Sequence, residues 1–257
     1  MNFALKLSYK GTNYSGWQIQ NNVPTIQGEI QKAVNRVFCE DYTVNGCSRT
    51  DAGVHALEYV CALHNVKEFN VEKLPLALNT YLPDDISVID AAIVSDDFHP
   101  RFSALGKEYV YVVYNSKHGN PFSNDVSYRY KRPLNEVLCN EFASEFVGTF
   151  DFTSFMAAGS TITDAVRTIY SFEVYRKGNY VFFKVSGNGF LYNMVRIMVG
   201  TIINSFEGKI NLPIKEIILA KDRKIAGQTM PANGLFLNKV FYETNVFSNR
   251  REALFDL

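Results

Sequence analysis

The chain opens on a period-two alternation: Phe3, Leu5, Leu7 and Tyr9 fall on one face and predict a strand. Thr25 then stands as an N-cap before Ile26, Ile30, Val34 and Val37, a stripe at helical spacing. Further strands are expected near Tyr42–Cys47 and Glu58–His64, a helix near Val71–Tyr81 with Leu74, Leu78 and Tyr81 inward, and a strand over Ile86–Val94. The order is strand, helix, strand, strand, helix, strand. The second half repeats it. Tyr109–Tyr114 reads as a strand, and Leu134, Val137, Leu138, Phe142 and Phe146 as a helix face. Arg167–Tyr175 and Tyr180–Ser186 form a hairpin pattern around Gly178-Asn179. Helices over Leu191–Phe206 and Ile214–Ala220 and a strand over Leu235–Tyr242 complete it. This order predicts an α+β fold of two ferredoxin-like (βαββαβ) units, over 1–105 and 106–257, each with a sheet under two helices. Joined edge to edge they would make one long, mostly antiparallel sheet, with helices on one face and a central cleft. Ser95–Gly106 passes between the units with no low-complexity linker.

Composition narrows the class. The chain has 257 residues, 47% hydrophobic and 20% charged, an ordinary globular balance. No apolar run reaches membrane-spanning length and no basic-then-apolar leader opens the chain, so a soluble, unexported, cytoplasmic protein is expected. Cys39, Cys47, Cys61 and Cys139 include no Cys-x-x-Cys pair, which fits reduced thiols rather than a disulfide framework. The four histidines are scattered, so no metal site is expected, because zinc needs three or four convergent ligands.

The net charge is zero, from 26 basic and 26 acidic residues, so bulk charge does not argue for nucleic acid. Its distribution does more. Between Arg101 and Arg132 stand six cations against Glu108 and Asp125, interleaved with Tyr128 and Tyr130, whereas Asp84–Asp97 carries five acids and no Lys or Arg. Two solvated loops of opposite sign would give this pattern. So would a molecule presenting one basic face with aromatic rings to phosphates.

The most informative stretch is Arg49-Thr50-Asp51-Ala52-Gly53-Val54-His55. Gly53 permits a sharp turn that can display the Asp51 carboxylate with a cation beside it, and an ionised, partly desolvated Asp can act as nucleophile or base. Together with Ala56, this motif resembles the catalytic motif of the tRNA pseudouridine synthase A family. Four other segments resemble that family in the same order: Ser15–Gln20, Lys107–Tyr111, Phe190–Arg196 and Pro231–Leu235. The resemblance runs from about Leu5 to about Val240. Departures from the usual bacterial pattern fall at Ser48, at Glu58-Tyr59 and at Tyr192-Asn193, outside the Asp–Tyr–Arg set.

The resemblance implies a tRNA pseudouridine synthase, an isomerase that converts uridine to pseudouridine at positions 38, 39 and 40 of the anticodon stem-loop. It also implies a homodimer. Asp51 would be the nucleophile. Tyr109 would stack on the flipped base, and Arg196 would pair with the catalytic carboxylate. Arg49 would sit at the cleft rim, filling the gap left by the base or holding a phosphate. Gln18, His55 and Arg101 are weaker candidates for RNA or supporting contacts. The reaction breaks one bond between ribose and base and forms another, so no cofactor is expected. A non-catalytic RNA-binding protein is the first alternative. A small-molecule enzyme is the second, since Gly187-Asn188-Gly189 precedes a helix, but Tyr192 occupies the last glycine position of the phosphate-binding pattern.

Overall fold

The computed structural model describes residues 1–159 and 163–247. The chain divides into two compact units: Met1–Leu105 together with the chain from Phe236, and Gly106–Leu235. Each is α+β, built on a mostly antiparallel sheet.

In the first unit the strands are β1 (Phe3–Tyr9), β2 (Asn45–Gly46), β3 (His55–Leu63), β4 (Ile86–Ile93) and the chain's last strand, β10 (Leu235–Tyr242). The helices are α1 (Ile26–Phe38) and α2 (Leu74–Asn79). β1 lies between β4 and β3 and is antiparallel to both, and β2 is antiparallel to β3. The order β4-β1-β3-β2 is that of a ferredoxin-like sheet. The alternation at the N-terminus is the core: Phe3, Leu5 and Leu7 are fully buried and Tyr9 nearly so. Helix α1 is capped by the Thr25 hydroxyl, which accepts the Gly28 N–H. Its buried stripe is Ile26, Ile30, Ala33, Val34 and Phe38, so Phe38 rather than Val37 completes the inner face. A 3.6-residue period drifts far enough in three turns to move the stripe by one position.

One expectation changes here. The strand expected over Tyr42–Cys47 shrinks to Asn45–Gly46, opposite Ala62 and Cys61. On that same edge of β3, His55 and Ala56 pair with Phe236 and Leu237 of β10, in parallel. The last described strand, from Phe236, groups with the first unit. Of the expected second unit, 106–257, positions from 248 lie outside the described residues.

The second unit carries β5 (Ala104–Asn115, from Gly106), β6 (Tyr128–Tyr130), α3 (Glu136–Ser144), β7 (Gly148–Asp151), β8 (Val166–Lys177), β9 (Tyr180–Gly187), α4 (Met194–Phe206) and α5 (Ile214–Ala220). β9 sits between β5 and β8, β7 extends the sheet beyond β8, and β6 runs parallel to the end of β5. The β8–β9 hairpin turns at Gly178-Asn179, with Lys177 opposite Tyr180 and Gly178 at φ +57°. Helix α4 is buried along most of its length. It lies so close to the following loop that a Cβ on Gly200 would sit 1.9 Å from the Gln228 carbonyl oxygen. The Thr201 hydroxyl spans the same contact, donating to the Ile197 carbonyl and accepting the Gly227 N–H.

Among the described residues no helix is long and apolar enough to cross a membrane, and no three His, Cys, Asp or Glu side chains are grouped to hold a metal ion. Cys47, Cys61 and Cys139 are buried and Cys39, at the C-cap of α1, is exposed; none forms a disulfide among the described residues.

Gly200→Ala forces the helix and the loop at Gln228 apart. It is expected to lower unfolding stability by about 1–3 kcal/mol in urea titration.

Candidate active site

Asp51 lies in the loop that feeds β3. The Val54 N–H donates to the Asp51 carbonyl (3.1 Å) and Gly53 has φ +78°. Those are the marks of a type II turn, whose third position requires positive φ and therefore favours glycine. The Asp51 side chain is half-buried, and Arg49, two residues earlier, is exposed.

An N-terminal strap, Lys10–Trp17, holds this turn. Gly11 packs so tightly on it that an added Cβ would lie 2.0 Å from the Val54 carbonyl oxygen. The Gly11 N–H donates to His55 Nδ1 (3.0 Å). The Gly53 N–H donates to the Tyr14 carbonyl (3.2 Å), and the Trp17 N–H to the Thr50 carbonyl (3.1 Å). Between them Gly16, at φ +88°, leaves 2.4 Å from a built Cβ to the Thr50 oxygen. Thr50 is fixed from below as well, its hydroxyl bonded to the Tyr9 hydroxyl at 2.9 Å. The strap in turn is tied to the first turn of α1, where the Ile26 and Gln27 N–H groups donate to the Gly16 and Trp17 carbonyls. Asp51 thus sits on backbone held at Thr50 and at Gly53, the arrangement that keeps a reacting group in place before substrate arrives.

Ser48 and Tyr59 meet in this region. Tyr59 is fully buried, stacks on Trp17 with ring centroids 4.1 Å apart, and donates its hydroxyl hydrogen bond to the Ser48 carbonyl. Burial, above all, raises the Tyr59 pKa well beyond the ordinary phenol range, so the hydroxyl remains a donor.

The weaker candidates separate cleanly. His55 is fully buried, its ring 4.7 Å from that of Phe236, and its Nδ1 serves as an acceptor. It supports the turn and does not reach an RNA surface. Gln18 is exposed. Arg101 is exposed, with its guanidinium 5.6 Å from the ring of Phe102, itself 76% exposed. The His99 ring organises that bend by accepting the Arg101 and Phe102 N–H groups.

In the second unit Tyr109 lies on β5 opposite Val185, 7% exposed, its ring edge-on to Phe190 at 5.1 Å. Its strand neighbour Tyr111 is fully buried and donates to the Pro231 carbonyl (2.8 Å), with Gly234 against its ring. Asn233 clamps the loop before β6 through the Asn124 and Ser127 carbonyls. The Pro231–Leu235 segment is thus a structural latch within this unit. Arg196, in the first turn of α4, donates from Nε to the Met230 carbonyl (2.6 Å) and from Nη1 to Asn193 Oδ1 (2.5 Å). Asn193, at φ +59°, starts the helix. Gly187, by contrast, packs against the Thr168 carbonyl, with 2.7 Å to a built Cβ, so the Gly-Asn-Gly run serves sheet packing.

Positive charge in the basic stretch is partly neutralised within this unit. Arg132 pairs with Glu207 at 2.5 Å, and Arg129 donates to the Lys117 carbonyl. Lys117 and Lys131 are exposed.

Comparison with known proteins gives this arrangement its class. A family model described as tRNA pseudouridine synthase matches residues 7–103 and 142–243. A curated tRNA pseudouridine synthase A of Clostridium acetobutylicum is 45% identical over 242 residues, covering 94% of this chain and 99% of that protein. Another, of Ruminiclostridium cellulolyticum, is 44% identical over 93% of this chain and 98% of its own length. One from Bacillus subtilis strain 168 is 41% identical over 95% of this chain and 100% of its own. The chain belongs to the tRNA pseudouridine synthase family, and as a member it is an isomerase acting on tRNA.

Gly16→Ala carries two penalties: about 1–2 kcal/mol for a side chain in the left-handed region, and the contact with Thr50 that displaces the Asp51 turn. Pseudouridine formation by this variant is expected to fall more than tenfold at a temperature where circular dichroism shows it folded. Gly208→Ala, at φ +68° in open space, shares the first penalty only and should keep its rate.

Proposed function

We propose that this protein isomerises uridine to pseudouridine at positions 38, 39 and 40 of the tRNA anticodon stem-loop, with Asp51 as the nucleophile. The target base must leave its stack, at a cost of a few kcal/mol that contacts with the protein offset. The bond from ribose C1′ to uracil N1 then breaks, the base turns, C5 bonds to C1′ as its proton is lost, and N1 takes up a proton. Asp51 serves as the group that attacks or deprotonates the nucleoside. Tyr109 stacks on the base, Arg196 supports the negative charge of the site, and Arg49 binds the backbone or the vacated stack. Atoms are conserved between substrate and product, so the chain needs neither cofactor nor metal ion for this chemistry. The protein acts as a cytoplasmic homodimer.

One observation carries the reading. A half-buried carboxylate stands on a type II turn whose backbone is fixed at Thr50 and at Gly53, next to an exposed arginine. A turn needed only to reverse the chain has no use for a strap packed against it through two glycines that tolerate no Cβ. The whole-length likeness to proteins named tRNA pseudouridine synthase A supports the substrate.

The test uses tRNA tritiated at uracil C5, from which label is released when C5 bonds to the sugar. Asp51→Ala and Asp51→Asn are expected to lose release by about 10³-fold or more while binding tRNA within a few-fold of wild type. Arg49→Ala should mainly weaken binding. A tRNA with cytidine at positions 38, 39 and 40 should release nothing, and sedimentation should give twice the chain mass. Full release by Asp51→Asn contradicts the assignment, and binding without any wild-type release favours a non-catalytic RNA-binding protein.

A further inference from the structure

The acidic stretch at Asp84–Asp97 contains a side chain that the loop chemistry uses. Asp85, at the start of β4, is half-buried. Its Oδ1 accepts the Tyr14 hydroxyl (2.5 Å), its Oδ2 accepts Asn13 Nδ2 (3.1 Å), and its carbonyl accepts the Lys10 N–H (2.9 Å). Three successive points of the strap are thus held by one residue. Tyr14 is 8% exposed, and its own carbonyl receives the N–H of Gly53 in the Asp51 turn.

We propose that Tyr14 and Asp85 are positioning residues for the reaction, fixing the strap so that the Tyr14 carbonyl sets the Gly53 end of the turn bearing Asp51. The path is short and continuous: Asp85 carboxylate, Tyr14 hydroxyl, Tyr14 carbonyl, Gly53 amide, Asp51. A 1 Å displacement at a reacting group can cost about 100-fold in rate. Burial first, and the Asp85 carboxylate second, raise the Tyr14 pKa well above the ordinary phenol value, so the hydroxyl stays a donor throughout the working pH range. The carboxylate accepts both side-chain bonds of the clamp and binds no substrate atom itself.

This inference rests on the assignment of Asp51 as nucleophile. The experiment is single-turnover tritium release with enzyme in excess over C5-tritiated tRNA, together with tRNA binding and thermal unfolding, for Tyr14→Phe, Asp85→Ala, Asp85→Asn, the Tyr14→Phe/Asp85→Ala double variant and Asp51→Asn. Tyr14→Phe and Asp85→Ala should each lower the saturating rate about 10- to 100-fold, with the Kd for tRNA changed less than about threefold. The double variant should be no slower than the worse single one, since both remove the same bond. Asp85→Asn, which keeps an acceptor for the tyrosine, should recover most of the rate. A wild-type rate in Tyr14→Phe overturns the proposal. So do losses that multiply in the double variant, or a loss confined to Kd. Should Asp85→Ala not fold, the isosteric Tyr14→Phe decides by itself. Retained turnover in Asp51→Asn instead removes the nucleophile assignment, whatever the clamp variants do.

Discussion

The structure around the site depends on two backbone hydrogen bonds across the Asp51 turn, from Trp17 N–H to the Thr50 carbonyl and from Gly53 N–H to the Tyr14 carbonyl. A lone turn of this kind would fluctuate, because a single hydrogen bond contributes only about 1 kcal/mol net. Here the two bonds join segments that are anchored elsewhere: the strap on α1 and β4, the turn on β3 and Tyr9. Glycine at 11 and 16 lets the backbones come so close, and glycine at 53 supplies the positive φ of the turn. The entropy of ordering the loop is therefore met during folding rather than on substrate binding, which favours preorganised chemistry.

The same economy governs the buried tyrosines around the loops. Tyr59 is buried beneath the loop, and its hydroxyl reaches the Ser48 backbone while its ring stacks on Trp17. A buried hydroxyl must find an acceptor, and the loop supplies one. In the second unit Tyr111 repeats the arrangement with the Pro231 carbonyl. Buried tyrosines in this protein are ties between sheet and loop as well as core volume.

Much of this could be read from the chain. Period-two alternation located β1, Thr25 located the start of α1, and Gly178-Asn179 located the β8–β9 turn. What alternation does not carry is the identity of a strand's partner, so the parallel pairing of β10 with His55 and Ala56 of β3 was not legible. Strands as short as Tyr128–Tyr130 and Gly148–Asp151 span too few residues to show a period and were missed. At the site, Asp51 and Gly53 announced themselves through local chemistry. Tyr14 and Asp85 lie 71 positions apart and meet only in three dimensions. The signal available was Pro83-Asp84-Asp85 directly before a strand, a place where an acid can reach back across the sheet edge, and net charge counting hid it among solvated acids.

The central claim is that the Asp51 turn is already formed in the free protein and that its carboxylate, not the turn, does the chemistry. Hydrogen–deuterium exchange of the Gly53 and Trp17 amides, resolved by NMR in wild type and in Asp51→Asn without RNA, addresses this most directly. The account predicts that both amides are strongly protected, equally in the two proteins, although only the wild type turns over tRNA. Exchange at the rate of an unstructured chain in a fully active wild type would contradict it.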